Sequence, residues 1–194
     1  LKIAGQKPVA TVPVFTFYKA DNSPFTNAQL ASGKMLFFVF FDVTCENCRH
    51  AIQYIDNHGI AFKNAAVYLI SLDEWDKVKL FLNKYGPRLE NKTNITILRD
   101  TRNEFISKFS PVKYPSLFLF SAQKKLILYD DNGGEKVLVN PLGAIHELLN
   151  EPPKDTATED AARFIGNRHE RRKQIALARK AKRERERSGQ NAGS

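Results

Sequence analysis

The apolar positions of the chain form two prominent runs, and each run predicts a buried strand. Met35 through Phe41 is an unbroken series of seven apolar residues, far short of the ~20 needed to cross a membrane. Runs of this length are typical of strands that are covered on both faces of a sheet. We therefore predict strands over residues 34–41 and over residues 65–71.

Apolar residues recur at helical spacing after each of these two strands. Ala51, Ile52 and Ile55 would form one face of a helix over residues 46–58, because residues three and four apart share a helix face. The same spacing over residues 73–85 predicts a second amphipathic helix.

A third, shorter helix is predicted over residues 101–109, with Thr101 as its N-cap and Glu104 at the capping-box position. Strands that alternate with helices and close in a hairpin predict a layered α/β domain. Turn-forming residues separate the remaining segments. The further predicted elements are strands at 9–19, 95–98, 116–120 and 126–129, a return segment at 25–30, a turn at 131–134 and a helix at 142–149.

The charge is unevenly distributed, which predicts two regions of different character. The chain of 194 residues has a net charge of +9. Residues 151–194 contribute 12 Lys+Arg against 7 Asp+Glu, whereas residues 1–150 contribute 18 against 14. We predict a globular domain over 1–150, which Pro152-Pro153 would end, and a basic extension over 151–194 that is helical or disordered.

The extension is interpreted first as a solvated appendage, because its few apolar residues do not form a broad stripe. Electrostatic contact with an anionic membrane surface, or with nucleic acid as a tether, is an alternative, since basic segments are attracted to both. Aromatic residues do not alternate with its basic residues, so base stacking is not indicated and no specific nucleic acid is expected.

The first residue is Leu and the only methionine is Met35. The sequence therefore predicts that a signal peptide, a lipoprotein leader or an upstream domain has been removed. The remaining residues therefore do not indicate the compartment in which the mature protein acts.

The chain has two cysteines, Cys45 and Cys48, two residues apart and directly after the first apolar run. A strand that ends at such a pair and continues as a helix places the first sulfur at a helix N-terminus. There the unpaired backbone N–H groups and the helix dipole favour a thiolate. The pair therefore predicts dithiol–disulfide exchange.

Other uses of the cysteines fit the sequence poorly. A structural zinc site needs four ligands, and no second Cys-x-x-Cys or His-x-x-x-His is present to complete one. Haem attachment needs a histidine directly after the second cysteine, but Arg49 stands there. No metal site and no cofactor are predicted.

The order of these motifs resembles the TlpA/ResA-like thiol–disulfide oxidoreductases, which are thioredoxin-fold proteins of the AhpC/TSA-redoxin superfamily. The resemblance covers about residues 8 to 150. It implies a central mixed sheet flanked by helices. The peroxidases of similar fold carry Thr three residues before their cysteine, and that pattern is absent. The motifs that carry the resemblance are Pro13-Val14-Phe15, Cys45-x-x-Cys48, Ser71-Leu72-Asp73-Glu74, Leu98-Arg99-Asp100 and Lys113-Tyr114-Pro115-Ser116.

The resemblance implies a role for each residue around the pair. Cys45 would be the exposed attacking thiolate and Cys48 the buried resolving thiol. Pro115 would be a cis-proline that packs beside the cysteines and presents backbone to the substrate. Tyr114 and Thr44, which stands where the family commonly has Trp, would line the substrate groove.

Four further residues are candidates for tuning the site. The buried acid of thioredoxin itself would fall at Val39, which cannot move a proton, so Asp73 or Glu74 is expected to fill a proton-relay position. Glu46 opposes ionisation of Cys45, while Arg49, at i+4, favours it. These effects roughly offset, which predicts a moderate, reductase-like thiol.

The predicted function is to exchange or reduce disulfides in partner proteins, with electrons from another dithiol protein. By resemblance, the setting is the periplasm or cell envelope, and a cytoplasmic origin stays open. The alternative is a non-catalytic binding module of the same fold that only holds a partner in the Tyr114-Pro115 groove.

Overall fold

A computed structural model of the chain describes residues 8–60, 62–130 and 163–164. The chain divides into two units, Leu1–Phe164 and Ile165–Ser194, and only the first contains described residues. The predicted turn at 131–134 and the predicted helix at 142–149 lie outside the described residues. So does the predicted extension 151–194, apart from Arg163–Phe164. The division at residue 150 stays a prediction.

The described residues form one mixed sheet of eight strands in the order β2-β1-β5-β4-β3-β6-β7-β8. Strand β3 is central and pairs parallel with β4 and antiparallel with β6. The predicted mixed α/β sheet is therefore confirmed. The strands are β1 Thr16–Tyr18, β2 Pro24–Thr26, β3 Met35–Phe40, β4 Ala65–Ser71, β5 Ile95–Arg99, β6 Ser116–Phe120, β7 Leu126–Asp130 and β8 Arg163–Phe164.

Three α-helices connect the strands: α1 Glu46–Asn57, α2 Trp75–Tyr85 and α3 Glu104–Phe109. A 3-10 helix, Asn27–Gln29, follows β2 and has Thr26 as its N-cap, which forms a capping box with Gln29. None of the helices in the described part of the chain combines the length and the apolar run that a membrane span requires.

Aromatic rings on one face of the sheet lead from the core to the cysteine end of β3. Phe105 and Phe109 of α3 stack with ring centroids 4.1 Å apart, and Phe105 stacks on Phe40 of β3 at 4.4 Å. Phe40 in turn contacts the Tyr114 ring at 4.9 Å. Ring contacts of this kind add to the free energy gained by burial alone. Through Phe105 and Phe40, helix α3 therefore supports Tyr114, the residue before Pro115.

The predicted strand over 9–19 is wrong in extent, because its two ends pair with different partners. Ala10 and Val12 form backbone hydrogen bonds with Leu126 and Lys124, beside the β6–β7 turn. Only Thr16–Tyr18 forms a strand, and this strand pairs with β2 and, at Tyr18, with β5. Local alternation cannot reveal that one segment serves two places in the sheet.

The predicted cap of the third helix is also wrong. Helix α3 begins at Glu104, with Asn103 as its N-cap, and Thr101 lies outside it. The buried Asp100 carboxylate accepts hydrogen bonds from the backbone N–H groups of Glu104 and Phe105, at 3.1 and 2.7 Å. A carboxylate reaching forward from the end of β5 thus satisfies the free donors that a local N-cap would take.

Candidate functional site

The cysteine pair lies where the central strand gives way to the first helix. Cys45 is the N-cap of α1, and its sulfur accepts a hydrogen bond from the backbone N–H of Cys48 at 3.2 Å. A hydrogen bond to sulfur at a helix N-terminus favours the thiolate over the thiol. The structure therefore places Cys45 at the N-terminus of the helix that the sequence predicted, and its activation stays a prediction.

The two sulfurs differ in their access to solvent. Cys45 is partly exposed, whereas Cys48 is 0% exposed, and both are free thiols in this structure. Cys48 lies on the inner face of α1 with Ala51, Ile52 and Ile55. A reagent in solution therefore meets Cys45 first.

The environment of Cys48 disfavours its ionised form. Burial raises the pKa of the Cys48 thiol well above its usual range, and Cys45 and the Asp42 carboxylate raise it further. A hydrogen bond from the Asp42 backbone opposes these effects in part. Cys48 is consequently held as a thiol beside Cys45.

The loop before Cys45 is shaped by Asp42, which follows the buried Phe41. Its Oδ1 accepts hydrogen bonds from the backbone N–H of Thr44 at 2.7 Å and from the Thr44 hydroxyl at 2.6 Å. Its backbone carbonyl accepts from Cys45 N–H at 3.2 Å. This side-chain turn leaves Thr44 exposed directly beside Cys45.

The Tyr114–Pro115 segment lies at the same edge of the sheet. Its peptide bond is cis, and the next residue, Ser116, is paired with Phe40, two residues before Asp42. Burial raises the pKa of Tyr114 to about 12, and the nearby Asp42 and Asp73 carboxylates contribute. The Tyr114 hydroxyl therefore shares the electrostatic environment of the cysteine pair.

The two candidate relay residues, Asp73 and Glu74, have different contacts in the structure. The Asp73 carboxylate accepts hydrogen bonds from Val43 N–H at 3.1 Å and from the buried Ser71 hydroxyl at 2.9 Å. Glu74, with its side chain 66% exposed, forms an ion pair with Arg99. Of the two, Asp73 is thus the one that contacts the loop leading to Cys45.

The two residues predicted to tune Cys45 lie in the first turn of α1. Glu46 is exposed at the first helical position. The Arg49 guanidinium lies over the Tyr85 ring of α2, 5.7 Å from its centroid. A cation over an aromatic ring is attracted by its quadrupole, so this contact orients Arg49. The effect of either charge on Cys45 stays a prediction.

Sequence reasoning missed Asp42 as a functional candidate. The available signal was an acidic residue that directly follows an apolar strand and stands three residues before the first cysteine. Within the part of the chain that the structure describes, no group of three or more His, Cys, Asp or Glu is placed to hold a metal ion.

Comparison with known families and proteins gives one family match. A model of the AhpC/TSA family matches residues 8–129, which contain the cysteine pair, the Tyr114–Pro115 segment and most of the sheet. Comparison with curated proteins gives no match.

Solved structures with the same fold share little sequence with the chain. A thioredoxin-like protein from Bacteroides caccae is 19% identical with a TM-score of 0.54, and the match covers 72% of this chain but only 48% of that one. A thiol-disulfide oxidoreductase from Bacteroides fragilis is 18% identical with a TM-score of 0.56, over 71% and 98% of the two chains. A secreted Mycobacterium tuberculosis disulfide oxidoreductase homologous to E. coli DsbE is 19% identical with a TM-score of 0.53, over 67% and 95%. These likenesses confirm the predicted thioredoxin-like fold.

Proposed function

The chain belongs to the AhpC/TSA family, and from that premise we propose that it is a thiol–disulfide oxidoreductase that exchanges or reduces disulfides in partner proteins. The observation that carries the proposal is the asymmetry of the pair. Cys45 is partly exposed at a helix N-terminus and receives the Cys48 N–H, whereas Cys48 is buried. Disulfide exchange begins with attack by an accessible thiolate and passes through a mixed disulfide, which a second thiol close to the first can then resolve.

In the first step, the Cys45 thiolate attacks one sulfur of a partner disulfide. A mixed disulfide forms between Cys45 and the partner, and the partner's second sulfur leaves as a thiolate that takes a proton from solvent. The partial exposure of Cys45 and its position on α1 support this assignment. The thiolate, and not the thiol, is the attacking species.

In the second step, Cys48 loses its proton and attacks the Cys45 sulfur. The Cys45–Cys48 disulfide forms, and the partner leaves with both of its sulfurs reduced. Burial supports this role, because Cys48 is kept from partners in solution while it lies one helical turn from Cys45. Two electrons have then passed to the partner, and a dithiol donor protein returns them.

The partner chain would bind along the segment that contains Tyr114 and Pro115. Both residues precede β6 at the edge of the sheet where Thr44 and Cys45 lie. Pro115 would present backbone to an extended partner segment, and Thr44 would contact it beside the sulfur. The short side chain of Thr44 leaves more room there than the Trp that is common in the family.

Asp73 is the better of the two relay candidates, because its carboxylate bonds to Val43 in the loop before Cys45. Glu46 and Arg49 would adjust how readily Cys45 ionises, in opposite directions. The combination supports a reductase rather than a strong oxidant.

Partner proteins with disulfides, and a dithiol donor, would be met in the periplasm or cell envelope. The secreted disulfide oxidoreductase among the structural neighbours supports this setting. The basic residues of 151–194 would add a contact with an anionic surface.

A redox titration tests the proposed function. The chain is equilibrated in buffers of defined dithiol and disulfide ratio, and its free thiols are counted by alkylation. We expect one reversible two-electron transition that Cys45→Ser abolishes. A pair that does not cycle under mild conditions would instead make the chain a non-catalytic binding module.

A further inference from the structure

Residues 111–114, which lead into Pro115, are held by side chains rather than by backbone pairing. They lie between α3, which ends at Phe109, and β6, which begins at Ser116. Among the described residues, the two hydrogen bonds found for this stretch each join its backbone to a hydroxyl group. Backbone groups that no strand or helix satisfies depend on side chains or water for their partners. The position of the Tyr114–Pro115 segment therefore depends on the residues that supply these two hydroxyls.

The first hydroxyl belongs to Tyr129 of β7. Its oxygen accepts a hydrogen bond from the backbone N–H of Val112 at 3.1 Å. The Tyr129 ring is 1% exposed and lies 4.6 Å, between centroids, from the ring of Phe118, its partner in the sheet. A buried ring that is packed against the sheet has little freedom to move. Its hydroxyl is thus a fixed point to which Val112 is attached.

The second hydroxyl belongs to Ser116, the first residue of β6. This hydroxyl donates a hydrogen bond to the backbone carbonyl of Lys113 at 2.5 Å, and Ser116 itself is buried. The bond spans Tyr114 and Pro115, which lie between its two ends. The side chains of Val112 and Lys113 are nevertheless exposed. One side of the loop is therefore attached to β6 and β7, while its other side remains open to a partner.

We infer that Tyr129 and Ser116 are positioning residues for the partner chain. Their hydroxyls hold residues 112–114, and with them Pro115, in the conformation that an extended partner chain meets beside Cys45. This inference rests on the proposed function. A loop that already has its bound conformation loses less conformational freedom when the partner binds. Removal of either hydroxyl should therefore weaken the capture of a partner chain more than it changes the thiol chemistry of Cys45.

The test compares two probes that differ only in the chain around the reacting sulfur. In the first probe, a blocked cysteine carries an aromatic thiol in disulfide linkage. In the second, the same cysteine lies in the middle of a short peptide of alanine and threonine. With both probes, Cys45 bonds to the sulfur of the probe's cysteine, and the same coloured aromatic thiolate leaves with the electron pair. The ratio of the two second-order rate constants, peptide over blocked cysteine, thus reports the binding of the peptide chain.

We expect the unsubstituted chain to react faster with the peptide probe than with the blocked cysteine. Tyr129→Phe removes the hydroxyl but keeps the ring, and it should lower the ratio about three- to tenfold, which corresponds to the loss of one hydrogen bond. The rate with the blocked cysteine should stay nearly the same. Ser116→Ala, which removes the bond to Lys113, should lower the ratio in the same direction. The amide hydrogen of Val112 should exchange with solvent faster in Tyr129→Phe.

Tyr68→Phe is the matched control. The Tyr68 hydroxyl also accepts a hydrogen bond from a backbone N–H, that of Ala31 at 2.9 Å, and Tyr68 is likewise buried. Ala31 precedes β3, however, whereas the cysteines follow it. Tyr68→Phe should lower the free energy of unfolding about as much as Tyr129→Phe and leave the ratio unchanged.

The inference is overturned by an unchanged ratio in Tyr129→Phe or in Ser116→Ala, or by unchanged exchange at Val112. An equal fall of the ratio in Tyr68→Phe, or equal slowing of both probes by Tyr129→Phe, would show a general loss of structure and would overturn it too. So would an unsubstituted chain that reacts equally fast with both probes. Failure of the unsubstituted chain to release thiolate from either probe would instead contradict the proposed function.

Discussion

Removing the Asp100 carboxylate should destabilise the fold. Asp100 is 2% exposed, and its oxygens accept hydrogen bonds from three backbone N–H groups, those of Arg102, Glu104 and Phe105. It therefore links the end of β5 to the start of α3. Helix α3 packs on Phe40, and Phe40 packs on Tyr114. The hydrogen bonds of Asp100 therefore also stabilise the packing next to the Tyr114–Pro115 segment.

The expected loss follows from these three hydrogen bonds. Losing a capping side chain costs about 0.5–2 kcal/mol, and leaving a buried donor such as Phe105 N–H without a partner costs about 1–3 kcal/mol. Relief of the desolvation of a buried carboxylate offsets part of this. We expect Asp100→Ala to lower the free energy of unfolding by about 2–4 kcal/mol, or Tm by about 5–15 °C.

Urea unfolding followed by circular dichroism measures this loss. Asp100→Asn keeps one acceptor oxygen and should lose less than Asp100→Ala. Asp21→Ala is the matched control, because Asp21 also accepts bonds from a nearby turn, at Ser23, but is fully exposed. An Asp100→Ala chain with the unfolding midpoint of the unsubstituted chain would refute the reasoning.

Four further substitutions test the packing and the electrostatics by urea unfolding. Phe109→Ala removes a fully buried ring that contacts several others and should cost about 3–5 kcal/mol; a loss below about 1 kcal/mol would contradict the packing described. Arg88→Ala removes the partner of the buried Asp56 and should cost about 1–2 kcal/mol. Lys108→Ala removes the more exposed member of the i,i+4 pair with Glu104 and should cost less than about 0.5 kcal/mol; equal losses for Arg88→Ala and Lys108→Ala would contradict this difference. Above pH 10, the chain should lose stability relative to Tyr114→Phe. Its folded state keeps the Tyr114 phenol proton, with the pKa raised to about 12, whereas the unfolded state releases that proton. If the stability of both chains changes with pH in the same way, the raised pKa of Tyr114 is contradicted.

The fold was predictable wherever one local pattern decided the structure. The apolar run ending at Phe41 became β3 and the apolar residues 65–70 became β4, since a continuous apolar segment has few stable places outside a sheet. Residues 9–19 were not predictable as a unit, because their pairing partners near residues 124 and 99 are distant in the chain. The helix after β5 begins late because a buried carboxylate from Asp100 supplies its cap.

The site was predictable to the extent that its chemistry is local. The apolar strand before Cys45 and the helical spacing of apolar residues after Cys48 predict that the first sulfur lies at the start of a helix, and Cys45 is the N-cap of α1. Asp42 could not be identified in the same way, because its hydrogen bonds with Thr44 and Cys45 depend on the folded shape of the loop between β3 and α1. Asp73 and Glu74 are neighbours in sequence, and only the tertiary structure shows that Asp73 faces the loop and Glu74 faces Arg99.

The most direct test of the account compares the alkylation rates of the two sulfurs, each alone. Iodoacetamide is reacted near neutral pH with Cys48→Ser, which leaves Cys45, and with Cys45→Ser, which leaves Cys48. The exposure of Cys45 and the burial of Cys48 predict that Cys45 reacts about 100-fold faster or more. Equal rates, or a faster Cys48, would contradict the assignment of Cys45 as the attacking sulfur.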